Sequence, residues 1–276
     1  MITIDSHQHF WKYDPVKHDW IGDDMAVIRR DFLPEHLEPV LQENDVQGCV
    51  AVQADQTTEE TDFLTGLSKK HDFIKGVVGW VDLQSPAVEE VLEAYSTEPV
   101  LKGFRHILQG EKQRDLCLQP SFLKGISLLE KYNFSYDILI LQDQLRYIPE
   151  LVSRFPNQRF VIDHLAKPGI KAGEISEWKK DMERVAQYEN VHCKISGMVT
   201  EADLQNWKIE DFISYLDAVI NAFSTKRVMY GSDWPVCLAA ANYSEVLHIV
   251  KSWAGSLTIH EQELFFGKNA IAFYHL

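Results

Sequence analysis

No stretch of the chain is long and apolar enough to span a bilayer, no segment is low in complexity, and no two cysteines stand at Cys-x-x-Cys spacing. The first absence argues against a membrane helix, and the last leaves no dithiol motif for redox or metal work. Basic residues are also scarce: 27 Lys and Arg face 41 Asp and Glu, for a formal charge of −14. That balance argues against a nucleic-acid backbone or an anionic membrane as the main partner. No charged and apolar leader stands before the first apolar run, so a cytoplasmic location is the expectation. Cys49, Cys117, Cys193 and Cys237 lie far apart, and Cys49 and Cys193, inside apolar runs, read as buried free thiols.

What is present is a repeated unit: a short apolar run, a polar loop, then a stretch of helical period. The runs cover residues 2–5, 48–54, 74–81, 101–108, 135–141, 159–165, 191–196 and 227–233. Several are apolar almost throughout, as strands covered on both faces of a parallel sheet must be. Between them, Thr57/Glu60, Asn242/Glu245 and Thr258/Glu261 have capping-box spacing, and Pro34, Pro86 and Pro120 suit a first helical turn. Leu145, Ile148, Val152 and Phe155 share one helical face. The pattern predicts a (β/α)8 barrel in one domain, 1–276, with an extra helix near 260–273. An open doubly wound sheet is the alternative, disfavoured because no Gly-x-Gly-x-x-Gly follows a run. Residues 10–33, carrying Trp11, Tyr13, Trp20 and Arg29, read as a loop over the barrel mouth.

Active sites of such barrels form at the carboxyl ends of the strands. There the sequence sets His7 and His9, two residues apart and therefore on one face, then Gln53, Arg105 and His106, Asp163 and His164, Lys194 and Ser196, and Asp233 followed by Trp234. Each has a structural reading when taken singly: Lys194 as an ion-pair partner, Asp163 as a cap, His106 as a core histidine. A rim built for stability alone has no need of so many ionisable groups together.

The segments IDSHQHFW, KGFRHIL, VIDHLAKP and VMYGSDWP, in that order, resemble the amidohydrolase superfamily. The resemblance runs over essentially the whole chain and is strongest to the amidohydrolase-related branch that holds sugar lactonases of the L-fuconolactonase and L-rhamnonolactonase type. A pyrone-dicarboxylate lactonase is a more distant likeness. The resemblance implies a distorted (β/α)8 barrel, with His7 and His9 as the strand-one pair, His164 as the strand-six histidine and Asp233 as the strand-eight acid. The chain departs from many members in lacking a strand-four lysine at the rim, since Lys102 comes too early, and a histidine after strand five, where Gln142 and Asp143 stand. A second metal is therefore not expected.

The expected ligand set is His7, His9 and Asp233, with His164 or His106 as a further donor, for one divalent ion, Zn²⁺ by ligand chemistry. A metal-free site of histidine and arginine is the alternative. Opening a sugar lactone needs a base for water and positive charge for the carbonyl oxygen. Asp233 is expected as the base and His164 as its catalytic partner. Arg105, His106, Gln53 and Lys194 are expected to bind substrate, and Trp11 and Trp234 to face the sugar ring. A zinc decarboxylase of the same branch and a non-catalytic binding barrel are the competing readings.

Overall fold

The computed structural model describes all 276 residues. Its strands are β1 (Ile4–Gln8), β2 (Gly48–Val52), β3 (Ile74–Gly79), β4 (Leu101–His106), β5 (Ser135–Ile138), β6 (Phe160–Ile162), β7 (Val191–Ile195) and β8 (Val228–Tyr230). All pair parallel in sequential order. The sheet is a nearly closed (β/α)8 barrel, as expected. Its seam lies between β8 and β1 and is stitched at the carboxyl end: Asp233 N donates to His7 O (2.8 Å), and His9 N to Trp234 O (2.7 Å). The two segments that carry the histidine pair and the acid thus hold each other in register.

Around the barrel run α1 (Pro34–Glu43), α2 (Thr58–Ser68), α3 (Val88–Tyr95), α4 (Pro120–Leu129), α5 (Ile148–Ser153), α6 (Ser176–Val185), α7 (Glu210–Phe223) and α8 (Tyr243–Ala254). Pro34 and Pro120 open α1 and α4, where a missing N–H costs nothing, but Pro86 precedes α3 and lies outside its first turn. Leu145, Ile148 and Val152 are buried as one face, although the first belongs to a 3₁₀ turn ahead of α5. The Asn242/Glu245 and Thr258/Glu261 boxes form fully. The expected C-terminal helix is broken into α9 (Ile259–Glu263), a π turn (Leu264–Lys268) and α10 (Asn269–Tyr274). At the π turn Gly267 lies against the backbone of Ile2, where a Cβ would come within 2.3 Å of Ile2 O.

Three strata fill the barrel interior. At the amino end, Ile4, Val50, Val78, Val161 and Met229 pack on Ala270, Phe273 and Tyr274, so α10 stoppers the barrel. Above them lies an ionic stratum: Lys194, wholly buried, is paired with Asp137 and with Asp163 (3.1 Å), and Asp163 with Arg105 (3.0 Å). The Tyr274 hydroxyl donates to Asp137 Oδ2 at 2.7 Å. The histidines and Asp233 form the third.

The Thr57/Glu60 box is only half formed. Thr57 Oγ1 accepts from Glu60 N (3.2 Å), but the Glu60 carboxylate turns to Ala54 N (3.1 Å). Burial pushes this carboxyl up to about 7. Unfolded glutamate titrates near ~4.3, so the folded state holds the proton more tightly, and stability declines as pH rises between those two values. Glu60→Gln should therefore raise stability at pH 8 by about 1–2 kcal/mol, after discounting for partial exposure, and leave it unchanged at pH 4. Urea unfolding at the two pH values checks this.

Candidate active site

Asp233 sits at φ +59, in the left-handed region, just past the end of β8. Its approach is fixed by Asp5, whose carboxylate accepts from Ser232 N (2.9 Å), Ser232 Oγ (2.6 Å) and the Tyr243 hydroxyl (3.0 Å). After β6 comes a rarer feature. His164, Leu165, Ala166 and Lys167 have φ of 54°, 54°, 56° and 50°, four left-handed residues in succession, each bearing a side chain. Such a conformation costs roughly 1–2 kcal/mol per residue, and strain of this kind collects at functional sites. Gly197, at φ +63, leaves room for the turn: a Cβ there would lie 2.5 Å from His164 Nδ1 and 3.2 Å from Asp233 Oδ2.

The four residues named from the strand ends converge. His7 Nε2 and His9 Nε2 are 3.2 Å apart. Asp233 Oδ1 lies 3.3 Å from His9 Nε2, 3.8 Å from His7 Nε2 and 3.9 Å from His164 Nε2. The other nitrogen of His9 meets Val52 O (2.7 Å) and that of His164 meets Ser196 Oγ (2.9 Å), while His7 Nδ1 lies 3.3 Å from both Asp163 Oδ1 and the Lys194 ammonium. The Nε2 atoms of all three imidazoles thus face one carboxylate oxygen. Burial holds His7 well below the ordinary imidazole range, and His164 likewise, so both are neutral at pH 7.

These donors fit a single divalent ion. Ligand atoms of His7, His164 and Asp233 lie within 4.8 Å of one another, and His9 Nε2 stands beside two of them, 3.2 Å from His7 Nε2 and 3.3 Å from Asp233 Oδ1. The 3.2 Å between His7 Nε2 and His9 Nε2 matches the edge of a tetrahedron with ~2.0 Å bonds. Three imidazoles and a carboxylate, each backed by a hydrogen bond or a helper residue, are a zinc-type set. The same His7 lone pair faces Arg105 Nη1 at 3.3 Å.

Above this floor opens a cavity of about 410 Å³, lined in part by His9, Arg105, His164, Asp233 and Trp11. The 10–33 segment does reach over the mouth, through Trp11, Trp20 and Met25. Four expected substrate contacts fall elsewhere. Lys194 is sealed beneath His7 in the ionic stratum. His106, the neighbour of inward-facing Arg105, must face outward; it bonds Glu111 (2.8 Å) and packs on Phe122. Gln53 is buried and braces Arg105, donating to Arg105 O (3.0 Å) while its own carbonyl accepts from Arg105 Nη2. Trp234 packs between Phe10 and Phe32, away from the cavity. The lining instead includes Trp20, Met25, Gln109, Lys167, Thr200 and Glu201. Of these only Trp20 carried a sequence signal, from its place in the mouth loop.

A (β/α)8 barrel with a histidine–carboxylate centre at its carboxyl rim defines a class of metal-assisted hydrolytic scaffolds. Within it the assignment is specific: the amidohydrolase family model matches residues 4–276, and the chain belongs to that family. It is 37% identical over 287 residues to the L-fucono-1,5-lactonase of Burkholderia multivorans, covering 100% of this chain and 96% of that one. The L-fucono-1,5-lactonase of Burkholderia ambifaria is 35% identical, with 88% and 84% covered. A crystal structure of a Burkholderia multivorans amidohydrolase with bound zinc superposes with a TM-score of 0.97 at 36% identity, covering 100% of both chains. No helix of this chain is long and apolar enough to cross a membrane.

Proposed function

We propose that the protein, acting as one barrel unit over 1–276, hydrolyses a sugar lactone of the L-fucono-1,5-lactone type to the free sugar acid. The observation that carries this is the Asp233 carboxylate held 3.3–3.9 Å from three imidazole Nε2 atoms at the floor of the cavity. His7, His9, His164 and Asp233 would hold one Zn²⁺, which when bound polarises the lactone carbonyl as a Lewis acid. Asp233 takes a proton from the attacking water and returns it to the ring oxygen as the C–O bond breaks, leaving a hydroxyl and a carboxylic acid that ionises by releasing water's second proton. Arg105, fixed by Gln53 and Asp163, presents positive charge to the oxygen that becomes negative. His164, 3.9 Å from Asp233 Oδ1, completes the floor beside the base. Trp11 offers the ring an apolar wall. Four free cysteines suit a reducing cytoplasm.

The decarboxylase reading is weaker here because no histidine follows β5, and Asp143 is spent on a surface pair with Arg114. An aldonolactone panel followed with a pH indicator tests the proposal, since ring opening releases a proton. Acid release from deoxyhexonolactones is expected; CO₂ release from aromatic acids with no lactone turnover would overturn it.

A further inference from the structure

Beyond its catalytic floor the cavity has unlike walls. Trp11, Trp20, Met25 and Val236, from the segments after β1 and β8, form a largely apolar wall, whereas Lys167, Thr200 and Glu201, after β6 and β7, and Gln109, after β4, bring polar groups to the facing side, with Ile107 and Leu139 between them. Lys167 Nζ and Glu201 Oε1 are 3.5 Å apart, with side chains 22% and 24% exposed. A pair as long as this contributes little to stability. Yet the chain holds Lys167 at the end of the left-handed turn, against its own preference, to bring it to this wall. Gln109 Oε1 is buried with no hydrogen-bond partner in the protein, and Gln109 lines the cavity. A sugar ring has a matching anatomy: an apolar C–H face and an edge of hydroxyls.

We propose that Lys167, Glu201 and Gln109 read the hydroxyl groups of the lactone ring and set substrate specificity, with Glu201 accepting from neighbouring hydroxyls, Lys167 donating to them and the Gln109 amide bonding to them. This rests on the lactonase reading above. A lactone without hydroxyls leaves these polar groups unpaired against its ring, which is how a hydrogen-bonding site discriminates. Each contact involving a charged group is worth about 10- to 100-fold in discrimination.

The test is steady-state kinetics of the zinc-loaded wild type, Glu201→Gln, Lys167→Met and Gln109→Leu on an aldono-1,5-lactone and on δ-valerolactone, the same ring without hydroxyls. The ratio of the two kcat/KM values should fall about 10- to 100-fold in Glu201→Gln and Lys167→Met, chiefly through KM, and by less in Gln109→Leu. An unchanged ratio, with both substrates slowed alike, would overturn the proposal and assign these residues to support of the floor. If the wild type opens neither lactone, the lactonase reading fails separately. Calorimetric binding of the open-chain aldonate and of 5-hydroxypentanoate then decides the wall's role: a preference for the aldonate that Glu201→Gln abolishes supports it, and no preference overturns it.

Discussion

Asp233→Asn should lower kcat for aldonolactone hydrolysis by at least ~10²-fold while leaving KM close to that of the unaltered protein. Asn keeps the size and one acceptor oxygen but cannot take a proton from water. It is also among the few residues at ease with the φ of +59 found here. The seam bond from the residue's own N–H to His7 O survives as well. The expected loss is thus chemical, not structural. Because Asp233 belongs to the proposed ligand set, metal content must be measured beside the rate. A folded, metal-replete Asp233→Asn protein within about threefold of wild type would remove Asp233 as the base, falling far short of that ~10²-fold minimum.

Lys194→Met should destabilise the fold by about 3–5 kcal/mol, a large part of the ~5–15 kcal/mol that holds a typical domain folded. Lys194 is fully buried, and its ammonium is shared by Asp137 and Asp163. Met fills most of the same volume but leaves two buried carboxylates facing each other, with Arg105, His7 and the Tyr274 hydroxyl to oppose them. Burial already raises Asp137 to about 6 with the lysine present. Without it the folded-state value rises further above the unfolded ~3.9, so the variant should regain stability as pH falls, opposite to acid denaturation. Asp137→Asn in the same chain should restore much of the loss. Urea unfolding of the single and double variants at pH 5 and pH 8 checks all three expectations.

The barrel and the heart of the site were legible because they follow from periodicity and position. Eight apolar runs gave eight strands, and residues at their carboxyl ends had one place to go. His7 and His9 share a face because side chains two apart on a strand do. The same rule, applied to β4, would have turned His106 away once Arg105 faced inward. Trp234 and Trp20 could not be told apart from sequence, since an aromatic reads alike whether it packs on Phe32 or stands at a cavity mouth. Lys194 looked like a rim residue because its partner Asp137 was hidden mid-strand in an apolar run. Its role emerges only when β5, β6 and β7 bring two acids and one base into a single layer. Lys167 was invisible for another reason: no residue pattern announces four side-chain-bearing positions in left-handed conformation.

The central claim is one zinc ion at the His7, His9, His164 and Asp233 cluster, assisting lactone opening by Asp233. Its most direct measurement is a titration of metal-free protein with Zn²⁺, read by hydrolysis of L-fucono-1,5-lactone and by metal retained after desalting. Activity should rise in proportion to zinc and level off at one equivalent per chain. Full activity before any zinc is added, or a plateau reached only at two equivalents, would contradict it.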